Sequence, residues 1–137
     1  MFDTKEFYKL EQRSLIKICG KDKFSFLQGI ISNDIENLKK KSAIYSSILS
    51  PQGRFISDFF LSNFKEGFLM EINRGDEEDV IKKLNFYKLR SNVSIELEKN
   101  VSVFLLSNDS EENLKEINEN YICFDDPRFK KFFKRLY

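Results

Sequence analysis

The chain has no histidine, no tryptophan and only two cysteines among its 137 residues. Without histidine it cannot build a Ser-His-Asp triad, a Cys-His pair or a His-ligated metal site from its own side chains. Cys19 and Cys123 stand far apart with no C-x-x-C spacing, which indicates neither a zinc site nor a disulfide framework. We therefore expect no metal site and a reducing, cytoplasmic setting.

Long apolar runs and a strong net charge are also absent. No segment approaches the roughly eighteen apolar residues of a membrane span, and the N-terminus lacks the apolar stretch of a signal peptide. The 23 Lys and Arg nearly balance the 22 Asp and Glu, so no overall field attracts nucleic acid or an anionic membrane. The sequence predicts neither a membrane protein nor a nucleic-acid binder.

Hydrophobic periodicity predicts an α+β fold with helices packed on a largely antiparallel sheet. We expect a single domain over residues 1–137, because a boundary near residue 100 would leave too few residues for a second core. Asp22 is the predicted N-cap of the first helix. The expected elements are a strand at 13–20, a helix from 21 to about Asn33 and Asp34, strands at 43–49, 54–63 and 67–73, a helix at 75–91, strands at 92–98 and 101–107, a helix at 110–120 and a strand at 121–126.

The stretch S-P-Q-G-R-F-I-S-D-F-F-L, residues 50–61, places Asp58 inside an apolar strand. Alternation along the strand gives Asp58 the same face as Ile56 and Phe60. Burial of an ionised carboxylate is costly unless the group is paired or hydrogen-bonded. Two interpretations stay open from the pattern alone: a solvated sheet face, which the pattern favours, or a carboxylate lining a ligand cleft.

The turn Ser50-Pro51-Gln52-Gly53 predicts that this strand forms a hairpin with residues 43–49. If Ser50 pairs with Gly53, Tyr45 lies opposite Asp58. A bulged loop of three residues would place Ser46 there instead.

The C-terminal stretch D-P-R-F-K-K-F-F-K-R-L-Y interleaves basic residues with phenylalanines. Such a mixture occurs where proteins bind single-stranded nucleic acid. The pattern favours a simpler interpretation, in which an amphipathic segment buries Phe129, Phe132 and Phe133 on the domain or on a neighbouring chain. The run from Lys39 to Lys41 is interpreted as a solvated loop.

Four segments in order resemble YgfZ-type folate-binding proteins, which are relatives of the glycine-cleavage T-protein aminomethyltransferase. They are L-x-x-R-S-L-I-K-I-x-G-K-D-K-x-x-F-L-Q-G-I-I-S-N-D-I at 10–35, Y-S-S-I-L-S-P-Q-G-R-F-I-S-D-F-F-L at 45–61, F-Y-K-L-R-S-N-V-S-I at 86–95 and D-D-P-R at 125–128. The resemblance implies the N-terminal part of a folate-binding fold and a role in the assembly or repair of iron–sulfur enzymes.

The resemblance also implies a site. Asp58 matches the T-protein's catalytic aspartate near the folate nitrogens, and Tyr45, Phe60 and Asn73 match other pocket positions. Three further residues match positions expected to shape the pocket wall: Gln28, Asn33 and Asp34. The implied ligand is tetrahydrofolate.

Two departures from the family pattern bear on activity. Ser57 stands where the family's G-x-x-x-D-D strand has another acid, and no segment matches the K-G-C-Y-x-G-Q-E signature of the second half. We therefore expect binding without turnover, in a chain that is one half of a split or shortened protein. The expected partner is a second copy or another chain that supplies the missing half. The alternatives are an interaction module or relic without folate and, less favoured, an aminomethyltransferase.

Overall fold

A computed structural model describes residues 7–107, 123–128 and 133–137. These residues form nine strands, two α-helices and one 3₁₀ helix. In chain order they are β1 (Phe7–Lys9), β2 (Arg13–Cys19), α1 (Lys23–Gln28), the 3₁₀ helix (Ile35–Lys39), β3 (Ala43–Leu49), β4 (Phe55–Phe64), β5 (Gly67–Asn73), α2 (Glu77–Lys88), β6 (Ser94–Glu98), β7 (Phe104–Ser107), β8 (Cys123–Asp125) and β9 (Phe133–Leu136).

The strands are arranged in two sheets. The larger sheet has the order β3-β4-β5-β2-β6 and the smaller the order β1-β7-β9-β8. Adjacent strands are antiparallel in both. The predicted α+β class with largely antiparallel strands is confirmed, whereas the division into two sheets and the strands β1 and β9 were not predicted.

The larger sheet is covered on both faces. Its first face packs against α1, α2 and the 3₁₀ helix through a core that includes Ile16, Leu27 and Leu84, here called the helix-side core. Its second face packs against the smaller sheet through a core that includes Leu15 and Phe124, here called the inter-sheet core. Burial on both faces explains why six of the seven residues of β5 are buried and why no residue of β2 is exposed.

Helix α2 agrees with the predicted helical segment, but α1 ends earlier than the pattern indicates. The peptide N–H of Ser32 donates to Ser47 O at 2.9 Å, and Ile31 forms a bridge with Ile48 of β3. Pairing with β3 therefore takes the chain out of the helix after Gln28. Asp22 is the N-cap residue of α1, as predicted, but its carboxylate makes no capping bond and instead accepts from the N–H of Asn92 at 2.7 Å.

The hairpin turn forms as predicted, but the register in which β3 pairs with β4 differs from the prediction. Gly53 N–H donates to Ser50 O at 2.8 Å. Asp58 lies opposite Ser47, and Tyr45 lies opposite Phe60, so both predicted registers are wrong.

A β-bulge explains the altered register. The pairing shifts between Ile48 and Leu49, which leaves Ile56 as an extra residue on β4. The bulge also breaks the alternation, because Ile56 packs against the helix-side core instead of sharing the face of Asp58. Of the two apolar neighbours predicted beside Asp58, only Phe60 remains.

The C-terminal predictions are described in part. Strands β7 and β8 lie within the segments predicted as strands, and β9 completes their sheet. The predicted helix at 110–120 lies outside the described residues, as do Phe129 and Phe132 and the side chain of Phe133. No helix in the described part of the chain has both the length and the apolar character needed to cross a membrane.

Gly20 is expected to tolerate no side chain. Its φ is +120°, and a Cβ there would lie 2.2 Å from the carbonyl oxygen of Asn92. Gly75 has a similar φ of +102° with open space around it, so Gly75→Ala tests the backbone conformation alone. We expect Gly75→Ala to lower the free energy of unfolding by about 1 kcal/mol and Gly20→Ala by about 3 kcal/mol or more, measured by urea denaturation. Equal losses of unfolding free energy in the two variants would show that the contact with Asn92 adds no cost at Gly20.

Candidate functional site

A cavity of about 340 Å³ lies where the two sheets meet. The larger sheet supplies residues from β2 to β5, and the smaller sheet supplies β7, β9 and the segment after β8. The lining residues combine aromatic, acidic and guanidinium side chains: Leu10, Gln12, Arg13, Tyr45, Asp58, Phe60, Asn73, Leu105, Asp126, Arg128 and Arg135. We call this space the main cavity.

The four predicted ligand residues lie together in its wall. Tyr45 and Phe60 are cross-strand partners whose ring centroids are 5.1 Å apart. The hydroxyl of Tyr45 donates to Oδ2 of Asp58. Asp58 lies two residues before Phe60, on the same face of β4. No hydrogen bond to Oδ1 of Asp58 is found among the described residues, so this oxygen can accept one from a ligand. Asn73 lies at the end of β5, the strand next to β4, and also lines the cavity.

The hydrogen bond to Asp58 raises the pKa of Tyr45 above its ordinary value of 10.0, and burial and the negative charge of Asp58 act in the same direction. The hydroxyl therefore keeps its proton at neutral pH and acts as a donor to the carboxylate. This bond fixes the carboxylate of Asp58 in one orientation against the aromatic wall.

Arg13 extends from β2 along the edge of the cavity. Its Nη1 donates to Oδ1 of Asn73 at 2.6 Å, and its Nε donates to Oε2 of Glu71 at 2.6 Å. Asn73 is the register partner of Arg13, so the pairing of β2 with β5 brings the two side chains together. With its oxygen engaged, the amide of Asn73 presents its N–H₂ group as a donor.

A fully buried carboxylate lies beneath this edge. Glu71 is 0% exposed, and two cations surround it: Arg13 and Arg135, whose Nη1 is 3.2 Å from Oε2. Tyr137 completes the group, because its hydroxyl donates to Oε1 at 2.9 Å. Burial and the charge of Glu71 raise the pKa of Tyr137 well above its ordinary value. We call these four residues the Glu71 cluster.

A second buried acid, Asp126, contacts two of the guanidinium groups. It is 1% exposed, and its Oδ1 accepts from the backbone N–H of Arg128 at 2.9 Å and from Nε of Arg128 at 3.4 Å. Nε of Arg135 lies 3.3 Å from its other oxygen. The guanidinium carbons of Arg128 and Arg135 lie 4.7 and 4.0 Å from the centroid of Phe60. Both cations therefore stack on the aromatic wall.

Arg135 is buried without complete hydrogen bonding. Its Nε and Nη1 lie near acidic oxygens, yet neither has an acceptor in hydrogen-bonding geometry within the described structure. Buried donors without acceptors are costly, and they frequently mark a place where a ligand or water binds. This side chain forms part of the lining of the main cavity.

Several of these residues were missed in the sequence. Arg13 and Arg128 lie within the family-like segments, but neither was predicted to be a site residue. Glu71 carried the same signal as Asp58, since it is one acid within an apolar strand, G-F-L-M-E-I-N. Arg135 and Tyr137 were not predicted, because the C-terminal stretch was interpreted as an amphipathic segment that buries only its phenylalanines. No group of three or more Cys, Asp or Glu suited to hold a metal ion is found in the described ranges.

The three residues predicted to shape the pocket wall are absent from the lining of the main cavity, and the segment that contains Asn33 runs beside the edge strand β3. Asn33 Nδ2 donates to the carbonyl oxygen of Tyr45 at 3.0 Å. Gln28 Nε2 donates to Oδ1 of Asp34 at 3.1 Å, and Gln28 Oε1 accepts from the N–H of Ile35 at 2.8 Å. The bond from Asn33 therefore holds the backbone at Tyr45, and the two bonds of Gln28 join the end of α1 to the start of the 3₁₀ helix.

Ser57 does not face the cavity. It pairs with Ile48, a residue of the helix-side core, and is 7% exposed on the face opposite Asp58. An acid at this position would point toward that core. The absence of an acid at position 57 therefore removes nothing from the wall of the main cavity.

The comparison with protein families decides the classification. The sequence profile described as the GCVT N-terminal domain matches residues 1–120. The chain belongs to this family. The resemblance to the T-protein superfamily noted in the sequence is thereby confirmed.

Two curated members of the same group are fungal proteins, each named "Iron-sulfur cluster assembly factor IBA57 homolog, mitochondrial". The protein of Pyricularia oryzae is 34% identical over 98 residues, which cover 69% of this chain and 25% of the relative. The protein of Neurospora crassa is 32% identical over 96 residues, which cover 65% of this chain and 22% of the relative. The GCVT-domain chain therefore spans about a quarter of the length of these relatives.

A solved structure shows the same fold. The crystal structure of the glycine cleavage system aminomethyltransferase T from Bartonella henselae superposes with a TM-score of 0.76 over 95% of this chain and 40% of that one. The sequence identity is 14%, so this likeness concerns the fold alone. It confirms that the two antiparallel sheets have a fold like that of the aminomethyltransferase.

We expect neutralisation of Glu71 to destabilise the fold. Glu71→Gln leaves Arg13 and Arg135 without their shared counter-ion, which costs about 3–5 kcal/mol when a buried pair is broken. Urea denaturation measures the loss. Glu36→Gln is the control, because it removes an exposed partner of Lys39 and should cost less than about 1 kcal/mol. A similar small cost at both positions would contradict a structural role for the cluster.

The raised pKa of Tyr137 predicts a loss of stability in alkaline solution. Below an unfolded-state pKa of 10.0 both states keep the phenolic proton, and the stabilisation is complete. As the pH rises from there toward the folded-state pKa, only the unfolded chain releases the proton, so the stabilisation is progressively lost. Tyr137→Phe should lower stability at neutral pH by about 1.5–3 kcal/mol and flatten this alkaline decline. Tyr8→Phe, at an exposed ring, is the control, and an unchanged slope in Tyr137→Phe would refute the assignment.

Proposed function

We propose that the main cavity binds a reduced folate, tetrahydrofolate, and that the chain is a folate-binding accessory factor in the assembly or repair of iron–sulfur proteins. The observation that carries this proposal is the carboxylate of Asp58. It is oriented by Tyr45, lies on a wall of aromatic rings, and has one oxygen without a hydrogen-bond partner among the described residues.

The lining fits the pterin end of a folate in both shape and polarity. A pterin is a flat ring system that carries N–H donors and carbonyl or ring-nitrogen acceptors around its edge. Tyr45 and Phe60 supply apolar ring surface, Asp58 accepts hydrogen bonds, and the amide of Asn73 donates them. The volume of about 340 Å³ lies near the lower end of the roughly 300–1,000 Å³ typical of small-molecule pockets.

Arg135 supports the same assignment. Its buried Nε and Nη1 have no acceptor in good geometry among the described residues, so a ligand carbonyl near them would reduce the cost of their burial. When bound, a reduced folate supplies ring nitrogens that carry one-carbon groups. The chain itself would orient the ring, accept a hydrogen bond at Asp58 and exclude water on the side of Phe60.

The iron–sulfur part of the proposal rests on relatives. Two curated proteins that match most of this chain carry an iron–sulfur assembly factor in their names. Iron–sulfur proteins would then be indirect partners. A second copy or a separate chain is the proposed source of the remaining pocket wall, and the cytoplasm stays the predicted compartment.

The closing experiment is a titration of the full chain with tetrahydrofolate, repeated with Asp58→Asn. The substitution keeps the shape of the side chain and removes its charge, so we expect the Kd to rise about 10- to 100-fold, as loss of a charged hydrogen bond predicts. Asp79→Asn is the matched control, since Asp79 is exposed on α2 and does not line the main cavity. It should leave the Kd unchanged.

The outcomes of the titration distinguish a folate-binding protein from an interaction module that binds no folate. Saturable binding that Asp58→Asn weakens supports a folate site. Absence of binding, both alone and with a chain carrying the K-G-C-Y segment, would refute it and favour an interaction module without folate. Equal affinity of Asp58→Asn and wild type would move the site away from Asp58.

A further inference from the structure

The end of α2 exposes a pair of large apolar side chains that has no role in the preceding proposal. Phe86 is 74% exposed and Leu89 is 84% exposed, the two highest values among the large hydrophobic residues that the structure describes. They lie three residues apart, which brings them close together on the surface of a helix. Exposed hydrophobic residues are ordinary when they stand singly, whereas an adjacent pair forms a surface that another molecule can cover. We call this pair the α2 patch.

The backbone at Leu89 is strained. Its φ is +46°, in the left-handed region that glycine or asparagine usually occupies at the end of a helix. Leucine costs stability in this conformation, and its exposed side chain regains little of that loss by packing within the described chain. Lys65 also has a positive φ, but it lies in the tight turn between β4 and β5, where this conformation is common. The strain at Leu89 is explained if its side chain packs against another molecule.

A neighbouring aromatic ring holds Phe86 at the surface. Tyr87 packs against the helix-side core, and its ring meets the ring of Phe86 edge to face, with the centroids 5.8 Å apart. An aromatic side chain that is already held in place loses little conformational entropy when a partner covers it. Phe86 is therefore suited to anchor a contact.

Basic side chains surround the α2 patch. Lys82 and Lys83 precede Phe86 by one helical turn, and Arg90 follows Leu89. All three are exposed, and none forms an ion pair with another residue in the described ranges. The acids of α2 lie in its first turn, roughly two helical turns before Phe86. The patch thus has an apolar centre and a basic rim.

We propose that the α2 patch docks an acidic amphipathic helix of a partner protein, whose apolar side chains cover Phe86 and Leu89. An amphipathic helix presents apolar residues three or four positions apart, which matches this pair. Its carboxylates would pair with the basic rim, whereas a basic partner would be repelled. A second copy of this chain fits less well, because a two-fold contact centred on Phe86 would bring the two basic rims together. The inference is independent of the folate site, since no residue of the patch or its rim lines the main cavity.

The experiment measures binding of the full chain to a synthetic peptide of about twenty residues, long enough to form a helix, with leucine along one face and glutamate beside it. We expect saturable binding that weakens as salt is raised, and no binding of the same peptide with lysine in place of glutamate. Phe86→Ala should raise the Kd roughly tenfold or more, as loss of an aromatic anchor predicts. Phe55→Ala is the matched control, because it removes a ring of similar exposure from β4 and should leave the Kd unchanged.

The rim is tested with the double variant Lys82→Gln with Lys83→Gln. It should raise the Kd about fivefold and make binding less dependent on salt, as loss of exposed ion pairs predicts. Lys40→Gln with Lys41→Gln is the control, since it removes two exposed lysines outside α2.

Leu89→Gly separates docking from a structural role. Glycine relieves the backbone strain, so the variant should unfold at a urea concentration no lower than the wild type while it binds the peptide more weakly. A lower unfolding midpoint with unchanged peptide affinity would show that Leu89 serves the fold alone.

Three further results would overturn the docking site: no saturable binding of the glutamate peptide by the wild type, equal binding of the glutamate and lysine peptides, or an unchanged Kd in Phe86→Ala. Self-association of the wild type that Phe86→Ala abolishes, measured by sedimentation velocity, would assign the α2 patch to a second copy and refute an acidic partner. Phe86→Ala should bind tetrahydrofolate as the wild type does, so that failure of the docking site and failure of the folate site are distinguishable.

Discussion

The buried carboxylate of Glu71 holds the two sheets together at the site. It belongs to β5 of the larger sheet, yet Arg135 and Tyr137, which meet it, come from β9 and the residue after it in the smaller sheet. An isolated buried carboxylate would be strongly unfavourable, so the fold is acceptable only when these partners are in place. The requirement is mutual, because Arg135 is as deeply buried and equally in need of a counter-ion.

This constraint determines the geometry of the main cavity. Because Arg13 and Arg135 both pair with Oε2 of Glu71, their guanidinium groups are held at the border of the cavity. Phe60 then lies between cations, with Arg135 4.0 Å and Arg128 4.7 Å from its ring centroid. A site held by paired buried charges and an aromatic ring is preorganised, and little conformational entropy is lost when a ligand binds.

The charges around the main cavity are nearly balanced. Three guanidinium groups lie near three carboxylates, so the lining is polar but nearly neutral: Arg13, Arg128, Arg135, Asp58, Asp126 and the underlying Glu71. Such a lining suits an uncharged polar ring better than a strongly charged ligand.

Sequence patterns located part of this site through one recognisable conflict, an acid within an apolar strand. Asp58 was found in this way, and family resemblance placed Tyr45, Phe60 and Asn73 beside it. The same conflict occurs at Glu71, but none of the four family-like segments includes its strand, so no role was predicted for it. The pairing register of β3 with β4 could not be deduced from the sequence either. It is set by the bulge at Ile56, whose side chain packs against the helix-side core.

The sequence by itself determined the α+β class, the two principal helical segments, the hairpin turn at Ser50 to Gly53 and the family of the chain. These depend on local periodicity, turn chemistry and ordered motifs, which are readable along the chain. Only the tertiary structure decided that there are two sheets, that Asp58 bonds to Tyr45 diagonally across the strands, and that Arg135 is buried at the site. Those features arise from contacts between distant segments, such as Glu71 with Tyr137, whose energies exist only once both sheets have packed.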